Sequence, residues 1–220
     1  MMKGQKNNSS KLGKIIYRVT KRLFDIIVGL IGIIFLIPIS IIVKIAYICT
    51  GDFHSIFLIQ KRIGVNGKEF NFFKYRTMII NADEVLFTLL KENKEIAKEY
   101  KKNKKLKNDP RITKAGKILR RTSIDELPQL INVLKGDMSL IGNRPYLPRE
   151  KEDMGDSYDE IVKSKPGITG YWQVSGKENS TFEKRLELEK YYSNNMSLGM
   201  DLKIFFGTFK AVFFGHGADE

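Results

Sequence analysis

The chain has 220 residues and carries 38 lysines and arginines against 25 aspartates and glutamates, a formal charge of +13 at pH 7. That length suits one domain with its own core plus an attachment, and the charge selects an anionic partner: nucleic acid, anionic lipid or a phosphorylated substrate. The lone cysteine, Cys49, excludes an intramolecular disulfide; His54 and His216 stand far apart outside any metal or triad motif, and neither a Walker loop nor a dinucleotide glycine fingerprint occurs.

Residues 1–20 are polar and basic (KGQKNNSSK near the start) and read as a loosely ordered terminus without the signal-peptide layout. Leu23 to Ile48 follows, and between Asp25 and Lys44 lie 18 residues without a charge, enough for a membrane segment. Pro38 interrupts it, removing the bond to the Ile34 carbonyl and kinking the helix, with Ser40 close enough to serve the freed carbonyl. Both flanks are basic. Lys3, Lys6, Lys11, Lys14, Arg18, Lys21 and Arg22 precede the segment, and Lys44, Lys61, Arg62, Lys68, Lys74 and Arg76 follow it against Asp52 and Glu69. Positive charge marks the cytoplasmic side, so a kinked helix returning to the face it entered satisfies both ends, and a plain span satisfies one.

From Ile56 the texture is that of strands. IFLIQKRIG and KEFNFFKYRTM flank Val65-Asn66-Gly67, a hairpin signal, and the second run ends in Lys74 and Arg76, which face either a phosphate or solvent. Residues 82–105 read as one charged amphipathic helix with Val85, Leu86, Leu89, Leu90, Ile96, Ala97 and Tyr100 on its apolar face. The lysines from Lys98 to Lys107 are a solvated face or a contact for anionic headgroups. Asp109-Pro110 marks a turn before the stretch that carries the chemistry.

That stretch is RRTSIDELPQLINVLKGDMSLIGNRP, Arg120 to Pro145. Ser123 and Glu126 have capping-box spacing, predicting a helix that starts at Ser123, continues through Leu127, Leu130, Ile131 and Leu134, and stops at Gly136. Asp125 and Glu126 then sit in a first helical turn, where free N–H groups favour negative charge; such acids are ordinary caps, or a site among Arg120, Arg121 and Arg144. Residues 146–164 read as a surface helix. KPGITGYWQVSGK, Lys165 to Lys177, is turn-rich and holds the only tryptophan, Trp172, which suits a core or an interface before a base-stacking role. Asp201 to Gly215 is dense in phenylalanine and suits an interface or the underside of the domain.

Paired carboxylates suit Mg²⁺ on a pyrophosphate, a carboxylate can serve as a nucleophile that divides one transfer into two, and arginines offer paired donors to phosphate. The Arg120–Pro145 string closely resembles the bacterial sugar transferases, specifically the small monotopic polyprenol-phosphate phosphoglycosyl transferases, and the likeness runs from Lys21 to about Val212. The resemblance implies an α+β, mostly helical fold. It has a re-entrant membrane helix broken at Pro38 (residues 21–50), a β-hairpin, and a compact cytoplasmic catalytic domain with interfacial amphipathic helices (51–215), between the basic terminus and a tail at 216–220. It implies an enzyme at the cytoplasmic face of a bacterial inner membrane, moving a sugar-1-phosphate from a nucleotide diphosphate sugar, commonly UDP-linked, to polyprenol phosphate with release of UMP. Nucleic acid is no partner in that reading. By position Asp125 is similar to the family's nucleophile, Glu126 to its partner in holding Mg²⁺, and Arg120 and Arg144 to its phosphate contacts, joined here by Arg76 and Lys177. Three departures stand out: Ile37-Pro38 replaces Ser-Pro, Asn143 replaces proline, and Lys177 replaces arginine. A membrane-bound nucleotide-sugar pyrophosphatase and a basic membrane adaptor are the alternatives; the adaptor leaves the carboxylate pair and Arg144 without a role.

Overall fold

The computed structural model describes residues 3–175 and 181–214. It is a mostly helical α+β structure laid against one long N-terminal helix, α1 (Lys3–Cys49), which continues through Pro38. By length and composition α1 is the one helix among the described residues able to cross a membrane. Its buried residues Asp25, Gly29, Leu36, Val43 and Tyr47 recur at intervals that keep one stripe against the domain. The opposite face leaves Ile27, Ile31, Ile34, Ile41 and Ile45 more than half exposed, a continuous apolar surface that calls for an apolar partner.

Polar anchors hold α1 down. Arg22 donates to Val133 O (2.6 Å) and Leu134 O (2.8 Å), carbonyls at the end of a domain helix. Asp25 accepts from Ser139 Oγ (3.0 Å) and Leu140 N (2.9 Å), which makes a buried carboxylate tolerable in an apolar stripe. Gly29 and Gly32 let the helix approach Leu134 and Leu130, which a Cβ would meet at 2.8 and 2.5 Å. The Ser40 hydroxyl donates to Leu36 O (2.7 Å) and pairs with Tyr75 Oη (2.6 Å); the Ile34 carbonyl expected for it is not its partner.

The hairpin forms as its turn residues dictate. β1 (Phe57–Ile63) and β2 (Glu69–Tyr75) are antiparallel from Phe57↔Tyr75 to Ile63↔Glu69, and Asn66 and Gly67 take the left-handed conformation that turns the chain. The single helix expected over residues 82–105 is two: α2 (Ala82–Glu92) and α3 (Lys94–Asn103). Asn93 divides them, its side chain accepting from Glu95 N and Ile96 N as the cap of α3. After α4 (Lys114–Arg121) and α5 (Gln129–Lys135), β3 (Ser139–Ile141) runs parallel to β4 (Gly167–Thr169), a pairing that no alternation in the sequence announces. The surface helix expected between them is broken into short turns, including α6 (Lys151–Met154) and α7 (Tyr158–Ile161), with Gly155 at positive φ between. α8 (Tyr171–Ser175), α9 (Phe182–Asn195) and α10 (Leu198–Phe214) close the domain. Asp201 of α10 ties three helices, accepting from Tyr17 Oη and Lys21 Nζ of α1 and Tyr192 Oη of α9.

Candidate active site

The carboxylate pair sits in a turn of its own. Ser123 does not cap a helix: it takes a left-handed conformation (φ 55°), makes no capping bond with its side chain, and its N–H bonds Arg120 O, so it ends α4. Ile124–Glu126 then form a single 3-10 turn, and α5 begins after Pro128 and stops, as expected, at Gly136 (φ 87°). The S-x-x-E spacing therefore belongs to a helix stop, which turns Asp125 inward to 7% exposure.

β2 brings Lys74 to it. Lys74 Nζ lies 3.9 Å from Asp125 Oδ2. Burial pushes the Lys74 ammonium down to about 8; the Asp125 and Glu126 charges oppose the shift, and the Arg120 and Arg62 guanidinia add to it. Arg120 is positioned through Nε, which donates to Thr77 Oγ1 (3.0 Å). Thr77 is pressed against α4 at Gly116, where a Cβ would fall inside the radius of Thr77 O. Asp125, Glu126, Lys74 and Arg120 thus form one charged cluster, and in sequence Lys74 was no more than a strand residue with two possible faces.

Arg144 belongs to a neighbouring layer. It follows β3, its backbone N–H donates to Glu189 Oε1 (3.2 Å), and the Arg62 charge links it to Lys74, since both Arg144 and Lys74 feel Arg62. Asn143, where the resemblance expects proline, is buried and donates to Ser193 Oγ (2.7 Å) and Ile161 O (3.3 Å), so this departure still yields a defined backbone. Glu189 is 2% exposed. Burial raises its carboxyl to about 7, while the Arg144 N–H, Tyr146 and the cations of Arg144 and Arg185 pull it down. Arg185 in turn stacks on the buried Trp172 ring at 4.3 Å, which makes Trp172 a core residue. Nothing in the mixed-charge, helical texture of α9 marks Glu189 as a partner of Arg144; only the packing does.

Arg76, expected as a phosphate contact, stands apart from that cluster. It is buried, with Nη2 on both oxygens of Asp52 (3.0 and 2.9 Å), Nε on Ser55 O (2.9 Å), Nη1 on Met78 O (3.1 Å), and its plane over Tyr47 at 4.9 Å. Four of its five donors are spent on joining the end of α1 to the hairpin, and the one left makes no fork for a phosphate. Lys177 lies outside the described residues. Among those described, no group of three or more His, Cys, Asp or Glu side chains could hold a metal by itself. The Asp125–Glu126 pair matches an ion that takes one or two protein carboxylates and completes its shell from substrate phosphate and water, which is the habit of Mg²⁺.

A docked apolar helix beside a buried carboxylate among cations defines a candidate phosphoryl-transfer protein. The family model described as "Bacterial sugar transferase" matches residues 16–215. The undecaprenyl-phosphate galactose phosphotransferase of Salmonella typhimurium is 42% identical over 209 residues, 95% of this chain and 44% of its own length. An exopolysaccharide production protein, ExoY, of Sinorhizobium fredii is 38% identical over 200 residues, 91% of this chain and 88% of its own. The UDP-glucose:undecaprenyl-phosphate glucose-1-phosphate transferase of Klebsiella pneumoniae is 38% identical over 200 residues, 86% of this chain and 39% of its own. The chain therefore belongs to the bacterial sugar transferase family, and it spans less than half the length of the Salmonella and Klebsiella relatives.

Proposed function

We propose that this chain is a phosphoglycosyl transferase. It moves a sugar-1-phosphate from a nucleotide diphosphate sugar, UDP-linked, to undecaprenyl phosphate and yields the undecaprenyl diphosphate sugar and UMP. The names of the Salmonella and Klebsiella relatives support the reaction class and the acceptor, and the second supports a UDP donor. They differ in sugar, so the sugar is not assigned. The observation that carries the reading is the buried Asp125 carboxylate, held beside Lys74 and within the field of Arg120.

In the first half-reaction an Asp125 oxygen attacks the phosphorus bonded to the sugar, and the bond from that phosphorus to the bridging oxygen breaks. UMP leaves with the bonding pair, and the sugar-phosphate remains on Asp125 as an acyl phosphate. In the second, a phosphate oxygen of the acceptor attacks the same phosphorus and releases the carboxylate. Asp125 and Glu126 would hold Mg²⁺, which would supply charge neutralisation to the donor's phosphates. Lys74 and Arg120 balance the negative charge that passes through the transition state, and Arg144, seated by Glu189, is the further phosphate contact.

The apolar face of α1 is the membrane contact, and both ends of the apolar segment lie on the cytoplasmic side, as its two basic flanks favour; α1 itself runs on through Pro38. The anchors from Arg22 to Tyr47 support this, because they bind the apolar segment along the domain at both ends. A helix crossing to the far side would carry one of those ends away.

The test is a donor-only reaction. Protein mixed with labelled UDP-sugar and Mg²⁺, without acceptor, should release no more than one UMP per active site and carry the label on Asp125 by mass spectrometry. Asp125→Asn abolishes burst, label and turnover. Normal turnover with acceptor, but neither burst nor label without it, overturns the covalent route; label passing to water and never to the lipid fraction overturns the transferase.

A further inference from the structure

Beside Arg144 the packing leaves a cavity of about 10 Å³, whose lining includes Ile63, Asn143, Arg144, Val162, Ser164 and Pro166. The approach of β4 to β3 builds it. Beyond the end of β3, Asn143 bridges in parallel to Pro166, and Gly167 N donates to Asn143 O (2.8 Å), so the segment from Ser164 runs alongside Asn143 and Arg144. Gly142 has no room for a Cβ there, because one would meet the Lys165 carbonyl. Backbone packed on backbone fixes the shape of the cavity.

Three of the lining side chains each carry a buried polar atom with no hydrogen-bond partner among the described residues: Asn143 Oδ1, Arg144 Nε and Ser164 Oγ. The Asn143 amide is not at liberty to turn its oxygen away. Its nitrogen donates to Ile161 O (3.3 Å) and Ser193 Oγ (2.7 Å), and a carbonyl such as that of Ile161 only accepts. Asn143 is 3% exposed, at the position where the resemblance expects a proline with no polar side-chain atom. Tyr146 also lines the cavity, but its hydroxyl faces the Glu189 carboxyl. Three buried polar atoms in one place are costly unless something joins them.

Their chemistry specifies what joins them. Arg144 Nε only donates, Asn143 Oδ1 only accepts, and a serine hydroxyl does either. The guanidinium refuses a cation, and the amide oxygen refuses an anion. A water molecule accepts from Nε, donates to Oδ1 and pairs with Oγ. Buried waters make about three such bonds and require a volume of about 10–15 Å³.

We propose that one buried water occupies this cavity, and that Asn143 and Ser164, acting through it, are positioning residues for Arg144. Their role rests on Arg144 being a phosphate contact, as in the function proposed above; the water itself rests on the cavity alone. Glu189 holds the Arg144 backbone N–H (3.2 Å), and the water holds the side chain at Nε, so the guanidinium is fixed at both ends of its stem. The tether opposes the Arg62 charge, which repels that of Arg144. Being neutral, the water leaves the arginine's charge for a phosphate, where a carboxylate at Nε would offset it.

The experiment uses the full chain in detergent. A crystal structure resolved well enough to show single waters should place one peak within hydrogen-bond reach of Asn143 Oδ1, Arg144 Nε and Ser164 Oγ. Ser164→Ala keeps the space and removes one partner. It should weaken UDP binding by calorimetry about fivefold, the contribution of one hydrogen bond, and raise the donor KM to match with kcat unchanged. On an Arg144→Ala background the same change should add nothing, because a residue that acts through Arg144 has no effect once Arg144 is gone. No peak, in a map that shows other buried waters, overturns the proposal. A peak combined with UDP affinity that Ser164→Ala leaves unmoved, or lowers equally with and without Arg144, overturns the positioning role. A peak in a protein that neither binds UDP nor releases UMP from any donor sinks the transferase reading and leaves the water standing.

Discussion

Replacing Glu189 with glutamine isolates the energetics of the layer that seats Arg144. The carboxyl of Glu189 is buried on α9, accepts the Arg144 N–H at 3.2 Å, and faces the Arg144 and Arg185 guanidinia and the Tyr146 ring. Burial outweighs those cations and lifts it from the ordinary 4.5 to about 7. The unfolded chain gives up this proton near the ordinary value and the folded chain holds it until about 7. Between those limits the native state binds more protons, so stability falls as pH rises. At about 1.4 kcal/mol per pH unit of separation, the wild type should lose roughly 3 kcal/mol relative to a neutral side chain across that window and nothing further above it. Glutamine keeps the acceptor for Arg144 N and never ionises. Urea unfolding of both proteins in detergent from pH 5 to 8 reads the difference directly, since groups elsewhere cancel. Profiles that stay parallel would mean that Arg144 and Arg185 hold Glu189 ionised in the ordinary carboxylate range, and the account of this layer would be wrong.

Two further substitutions separate scaffold from site. Arg76→Ala strips Asp52 of its bidentate partner and the hairpin of its tie to α1; it should cost about 3 kcal/mol and leave the donor KM of the folded fraction unchanged. A raised donor KM at an unchanged Tm would return Arg76 to the phosphate site. Asp25→Ala leaves the Leu140 N–H and the Ser139 hydroxyl without their acceptor, a loss of ~1–3 kcal/mol for an unsatisfied buried group. Amide exchange at Ser139–Ile141 should accelerate; if it does not, Asp25 is not what joins α1 to β3.

Sequence by itself determined the features whose causes are local. Asn66 and Gly67 turn the hairpin because few other residues accept positive φ there, Gly136 stops α5 for the same reason, and the uncharged run from Ile26 to Val43 commits α1 to an apolar environment whatever lies beside it. The Asp125–Glu126 pair and its neighbouring arginine were legible because they are contiguous. What the tertiary structure decided are matters of direction and partnership. Ser123 has the same spacing to Glu126 whether it opens a helix or closes one, and the close packing of α4 on Thr77 at Gly116 goes with the closing form. Lys74 lies in β2 and Arg76 just past its end, yet the first meets Asp125 and the second is spent on Asp52, because the segment after α1 packs against the second and the Ile124–Glu126 turn against the first. Glu189 meets Arg144 across 45 residues, and Asp25 meets β3 across more than a hundred. Burial makes such long-range charges costly unless paired, and only a folded chain supplies the partner.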